Sequence, residues 1–179
     1  MVHMTQKRIT KSTPLNKIIE LTPACSCSAC SHGCTMGSGC LVDGDVEKIA
    51  QFMGVTENEF KQKYLEEMEL FNKKMLRPKI QRGSKPYGQC IFYDGKKGCT
   101  IHEVKPLQCK ISMGCKSYSS ALTSWFVLNY VLNTSDPEAI RQYASFVASG
   151  GEVIPGGALA QLMPNAAMRK KIMNYEVLK

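Results

Sequence analysis

Apolar positions recur along most of the chain with a helical period, interrupted by two stretches that show no period. Val46, Ile49, Ala50 and Met53 fall at i, i+3, i+4 and i+7, the face of an amphipathic helix. Asp43 is its expected N-cap, Asp45 and Glu47 suit the first turn, and Gly54 suits the end. Thr56 and Glu59 form the capping-box pair S/T-x-x-E and predict a second helix running to about Lys74. Its buried stripe is Phe60, Tyr64, Leu65, Met68 and Phe71 or Met75, with the methionines as gap-filling core. Further on, Ser119 or Ser120 caps a predicted helix through Trp125, Phe126, Leu128 and Val131 to Leu132. Asp136 before Pro137 opens another, carrying Ile140, Tyr143, Ala144 and Val147 and stopped by Gly150-Gly151. A last helix starts near Asn165 and includes Met168, Ile172, Met173 and Tyr175.

The aperiodic stretches are 25–40, rich in Ser, Gly and Cys, and 76–89, which holds Pro78, Gly83, Pro86 and Gly88. Ile91-Phe92-Tyr93, Asp94-Gly95 and the run through Cys99 to Ile101 read as a small hairpin. Pro14 and Pro23 punctuate residues 1–24, which are expected to form an extended arm. The expected fold is mainly α. A single domain over 25–179 packs its helices around an irregular cysteine-rich metal-binding region with at most a small β-hairpin. Its motif core is 25–115 and its helical C-terminal part 116–179, with no internal repeat.

The first aperiodic stretch and the chain that follows the second carry the chemistry. Nine cysteines fall in two groups: Cys25, Cys27, Cys30, Cys34 and Cys40, then Cys90, Cys99, Cys109 and Cys115. Thiolates on loops can converge on one point, and metals hold such groups together. An odd count in a chain of this length argues against a disulfide scaffold. Cys27-x2-Cys30 is the one strict CxxC pair; the second group runs x8, x9 and x5 between its members. Structural zinc usually takes two such knuckles, whereas an iron–sulfur cluster needs one outer thiolate per iron and accepts single cysteines on separate turns. The expected ligands are Cys27, Cys30, Cys34, Cys40, Cys90, Cys99, Cys109 and Cys115, with Cys25 the spare. The expected cofactor is one or two iron–sulfur clusters, of the four-iron type, with zinc as the alternative.

Composition changes the picture little. Apolar content of 44% and charged content of 21% are those of a soluble globular protein. No window approaches the roughly 18 apolar residues of a membrane span, and the polar N-terminus has no apolar h-region. The expected location is the cytoplasm, where thiols stay reduced. The net charge of +8 raises the question of nucleic acid, but Lys and Arg are spread without an interleaved aromatic stripe. Two four-thiolate centres of about −2 each would bring it near about +4. Solvated faces are the reading adopted, with a redox or protein partner expected and neither membrane nor nucleic acid.

The runs CSACSHGCTMGSGC, DGDVEKIAQFMGVTENEFKQKYLE and KPYGQCIFYDGKKGCTIHEVKPLQC resemble the YkgJ-type cysteine-cluster family of zinc- or iron-chelating domains, over roughly residues 25–115. Its CxxCxxCC opening falls on Cys27, Cys30 and Cys34, with Gly33 where the family has its third cysteine. Cys40 or Cys25 could supply the missing ligand. The second half falls on Cys90, Cys99 and Cys109, with Lys105-Pro106 at the family's basic residue and proline. The resemblance implies a metal or cluster domain. Some relatives look like flagellin lysine methylases that use S-adenosylmethionine, which keeps an enzyme open. This chain shows x2 then x3 between Cys27, Cys30 and Cys34, the reverse of the radical-SAM order, and no Gly-rich nucleotide loop.

Other candidates have plainer readings. His32 and His102 lie within the cysteine groups; either could replace a thiolate, and the plainer reading adopted is a hydrogen-bonding or exposed residue. Asp43 and Asp45 are read as helix-capping residues; Glu103 adjoins His102. Lys105, Lys110 and Lys116 flank the second group, where positive charge would favour thiolates. Trp125 is read as core. Gly37, Gly39 and Gly44 let backbone fold closely around sulfur. Three roles follow: electron transfer with cysteine-closed irons, a structural zinc module, or an enzyme with an open iron site.

Overall fold

The computed structural model describes residues 8–22, 28–111 and 119–178. Cys25, Cys27, Cys115 and Lys116 lie outside these residues. Helices make up most of the regular structure, joined by three two-stranded antiparallel sheets.

The N-terminal segment differs from the expected extended arm. Leu15–Glu20 forms a short helix (α1) that buries Ile18. The segment is fastened to the C-terminal half: Trp125 Nε1 donates to the Thr13 carbonyl at 2.8 Å, and Lys11 N–H to the Pro155 carbonyl at 2.8 Å. Trp125 is accordingly core.

After α2 (Ser28–Met36) comes α3 (Asp45–Met53), as its apolar spacing predicts. Its N-cap is Gly44 rather than Asp43, because the backbone there turns left-handed at φ 83°, a conformation that glycine adopts without steric cost. Thr56 caps α4 (Glu57–Tyr64) by accepting the Glu59 N–H. That helix ends ten residues before the predicted Lys74. Leu65–Leu70 is instead a strand (β1) paired with Lys73–Pro78 (β2) through a Phe71-Asn72 turn whose residues both have positive φ. Strand pairing sets the acidic run Leu65-Glu66-Glu67-Met68-Glu69-Leu70 against the basic run Lys73-Lys74-Met75-Leu76-Arg77-Pro78. Glu69 faces Lys74, and Glu66 faces Arg77 with a 2.9 Å ion pair. Phe71 then packs edge-on against Tyr143 and Phe146.

Two minimal sheets follow: β3 (Ile80–Gln81) with β4 (Gln89–Cys90), and β5 (Tyr93–Asp94) with β6 (Gly98–Cys99). The second is the predicted hairpin, with Asp94 Oδ1 accepting the Lys96 and Lys97 N–H groups in its turn. α5 (Leu107–Ile111) comes next. α6 (Ser119–Phe126) passes into a π-helical turn at Val127–Val131. α7 (Pro137–Ala148) starts at Asp136 and Pro137 as expected, α8 (Leu159–Leu162) is short, and α9 (Ala166–Met173) is capped by Asn165. Of the last helix's predicted apolar set, Ile172 is buried, while Met168, Met173 and Tyr175 are exposed.

The buried side chains form two clusters. The larger joins α1, the β1–β2 turn, α5, α6 and α7, and contains Cys40, Ile111, Phe126 and Tyr143. The smaller joins α3, α4 and the β4–β5 region, with Phe60, Tyr64 and Phe92 stacked at 5.6–6.2 Å. Among the described residues no helix is long and apolar enough to cross a membrane.

Candidate metal centre

Cys30 and Cys34 are four residues apart on α2, so they share one helix face. That helix packs on β4 and β6, which carry Cys90 and Cys99. Cys109 sits in the middle of α5. All five line one cavity of about 150 Å³, together with Phe92, Ile101, His102, Lys105 and Pro106. Among them, Cys34, Cys90, Cys99 and Cys109 lie near enough to one another that every pair interacts electrostatically. Among the described residues no three His, Cys, Asp or Glu side chains close on a single point as one ion would require. The thiols surround a space instead.

Backbone amides are aimed at three of these sulfurs. The Phe92 N–H serves Cys90 and the Ile101 N–H serves Cys99, each two residues beyond its cysteine. The Gly39 N–H serves Cys109. Gly39 must be glycine for that approach, since a Cβ there would stand 2.6 Å from the Cys109 sulfur and 3.2 Å from its backbone nitrogen. Such N–H donors satisfy thiolate lone pairs inside a low-dielectric site.

α5 is held by the loop that precedes α3. The buried Asp45 carboxylate accepts the Leu107 N–H at 3.1 Å and the Val42 N–H at 3.1 Å, and pairs with Lys48 at 2.8 Å. Gln108 Oε1 accepts the Cys40 N–H. The first three residues of α5 are thus each tied to the 39–45 loop, which fixes where Cys109 points. Sequence reasoning missed both Gln108 and the long-range part of Asp45, which it had as a first-turn residue of α3. Nothing local separates Asp45 from Asp43; only burial does, since Asp43 is exposed.

The remaining candidates divide. Cys40 is fully buried in the larger core, does not line the cavity, and feels Asp45 and Lys73 rather than the other thiols. His32 and Glu103 are exposed. His102 lines the cavity, its Nε2 3.5 Å from the Lys105 ammonium. Lys110 lies near Lys105 and Lys48; burial and these two like charges lower its pKa.

Burial pushes every thiol of the set upward. Cys90 rises to about 11 through burial, opposed by the Phe92 N–H and reinforced by Cys34 and Cys99. Burial raises Cys109 most, with the Gly39 N–H opposing. Cys34 and Cys99 rise by burial too, and Lys105 pulls both back. With no cation between them, such thiols keep their protons at neutral pH; a soft metal ion displaces those protons. The donor set, its amide partners and the glycine-permitted close approach all fit a metal or cluster.

Residues 26–125 match the family described as "CxxCxxCC: Putative zinc- or iron-chelating domain". The match covers more than half of the chain, which therefore belongs to this cysteine-cluster family of metal-binding domains. No curated protein and no solved structure matches it significantly.

Proposed function

We propose that the chain is an iron–sulfur protein in which Cys34, Cys90, Cys99 and Cys109 are the ligands of one cluster, with electron transfer as its role. The carrying observation is that these four thiols line one cavity of about 150 Å³, near enough that every pair interacts electrostatically. A single zinc ion draws four sulfurs to about 2.3 Å of one point and leaves no such space. The cavity is several times the roughly 30 Å³ share of a water molecule. A cluster, when bound, supplies reversible one-electron chemistry. The chain's own part is to present four deprotonated sulfurs, to direct the Phe92, Ile101 and Gly39 amides at three of them, and to screen them from water with Phe92, Ile101 and Pro106. Cys30, one turn before Cys34, stands on the same wall as a fifth thiol.

A structural zinc module uses the same donors, and the two readings differ in colour. Protein prepared without oxygen is expected to be brown, with broad visible absorbance that bleaches on reduction. Single changes of Cys34, Cys90, Cys99 or Cys109 to Ser each abolish or alter that spectrum. A spectrum untouched by all four changes rules out this ligand set.

A further inference from the structure

Lys105 stands between β6 and α5, directly before the buried Pro106, and lines the cavity with the five cysteines. Its side chain is half-buried. Some half-buried or buried cations elsewhere in the fold have carboxylates: Arg77 and Arg82 pair with Glu66, Arg141 with Glu138, and Lys48 with Asp45. Others, such as Lys79 and Arg169, donate to backbone carbonyls. Lys105 does neither among the described residues, and it faces the thiols. Among the described residues it makes no ion pair, and its polar neighbour is the His102 ring at 3.5 Å. A partly desolvated ammonium without a carboxylate is costly unless something else supplies negative charge. Its charge reaches Cys34 on α2 and Cys99 on β6, and favours the thiolate of each.

We infer that Lys105 is the counter-ion of the metal–thiolate centre, its ammonium balancing the negative charge that four thiolates leave on whichever metal they hold. This rests on the metal–thiolate reading above. Four thiolates around Zn²⁺ or around an oxidised four-iron core leave about −2. Reducing a cluster adds one more negative charge, which a neighbouring cation stabilises. Removing that cation must therefore lower the reduction potential. Lys105 acts through the field at the sulfurs and coordinates nothing, so it is a positioning and tuning residue.

The test compares Lys105→Gln and Lys105→Arg with the native chain, all prepared anaerobically, by iron, sulfide and zinc content and by redox titration. Lys105→Gln is expected to keep its cluster and titrate at a lower potential, with Lys105→Arg restoring the native value. A fully loaded Lys105→Gln protein at the native potential overturns the inference. If the native chain carries zinc, the iron–sulfur reading falls and the inference is read by chelator competition. Lys105→Gln should then lose zinc about tenfold more readily and Lys105→Arg should not; equal retention overturns it. Should Lys105→Gln take up no metal, its metal-free melting decides. Native-like melting supports the counter-ion role, and a lost fold overturns it. A native chain that binds neither metal overturns both readings.

Discussion

Gly39 shows how much of the site rests on a single missing side chain. Its amide serves the Cys109 sulfur across a gap that a methyl group would fill at 2.6 Å. Gly39→Ala is expected to lower metal content and cost about 1–3 kcal/mol of stability, read by metal analysis and thermal melting. Asp45 acts from the other side. Asp45→Ala leaves the Val42 and Leu107 amides without their acceptor, and should cost about 2–3 kcal/mol in urea denaturation, with Asp45→Asn milder because one acceptor oxygen survives. Cys40 offers the contrast. Its place in the larger core predicts that Cys40→Ala costs about 1 kcal/mol while metal content stays native; metal loss on that change would return Cys40 to the ligand set. The cysteines were legible as a metal-binding group, because clustering beside Gly and Ser is visible in one dimension. Which of them meet was not, since Cys40 and Cys34 look alike until the loop between α2 and α3 turns one into the core and leaves the other on the cavity.

Elements were legible where caps and period agree. α3, α4's start, α7 and α9 follow from Gly54, Thr56, Asp136-Pro137 and Asn165. The miss after Tyr64 has a definite cause. Phe60, Tyr64, Leu65, Met68 and Phe71 satisfy a helical stripe, yet Glu66, Glu67 and Glu69 gain cross-strand partners or neighbours only when paired with the basic strand. Long-range charge pairing overrode local period. The α1 helix was missed because two flanking prolines suggested an extended chain, while burial of Ile18 under the C-terminal half has no local signal. The Asp136 cap gives a pH prediction. Partial burial pushes its carboxyl up, but the Asn72 amide and the Ala139 and Glu138 N–H groups outweigh this and hold it below the ordinary range. A lowered folded pKa contributes stability that is complete above the unfolded value of about 3.9. That stability is lost as pH falls through the folded value. Asp136→Ala should therefore cost about 1 kcal/mol at neutral pH and show a shallower stability loss than the native chain when both are titrated below about pH 4.

At the scale of the molecule, the two apolar clusters meet along the segment that bears the site. Neighbouring residues Cys40 and Leu41 belong to different clusters, and Cys90 belongs to the smaller one. Metal binding there should stiffen the junction between them, so loading raises the melting temperature of the whole chain. The same region carries a local excess of positive charge. Residues 79–111 hold seven Lys and Arg against two acidic residues, an excess that a negatively charged centre would offset. The sequence alone spoke for metal and left its identity between iron–sulfur and zinc, because spacing does not report the volume the sulfurs enclose. The most direct measurement is therefore the iron, acid-labile sulfide and zinc content of chain prepared without oxygen. The account predicts iron and sulfide in equal amounts with little zinc; a colourless protein holding zinc and no sulfide would contradict it.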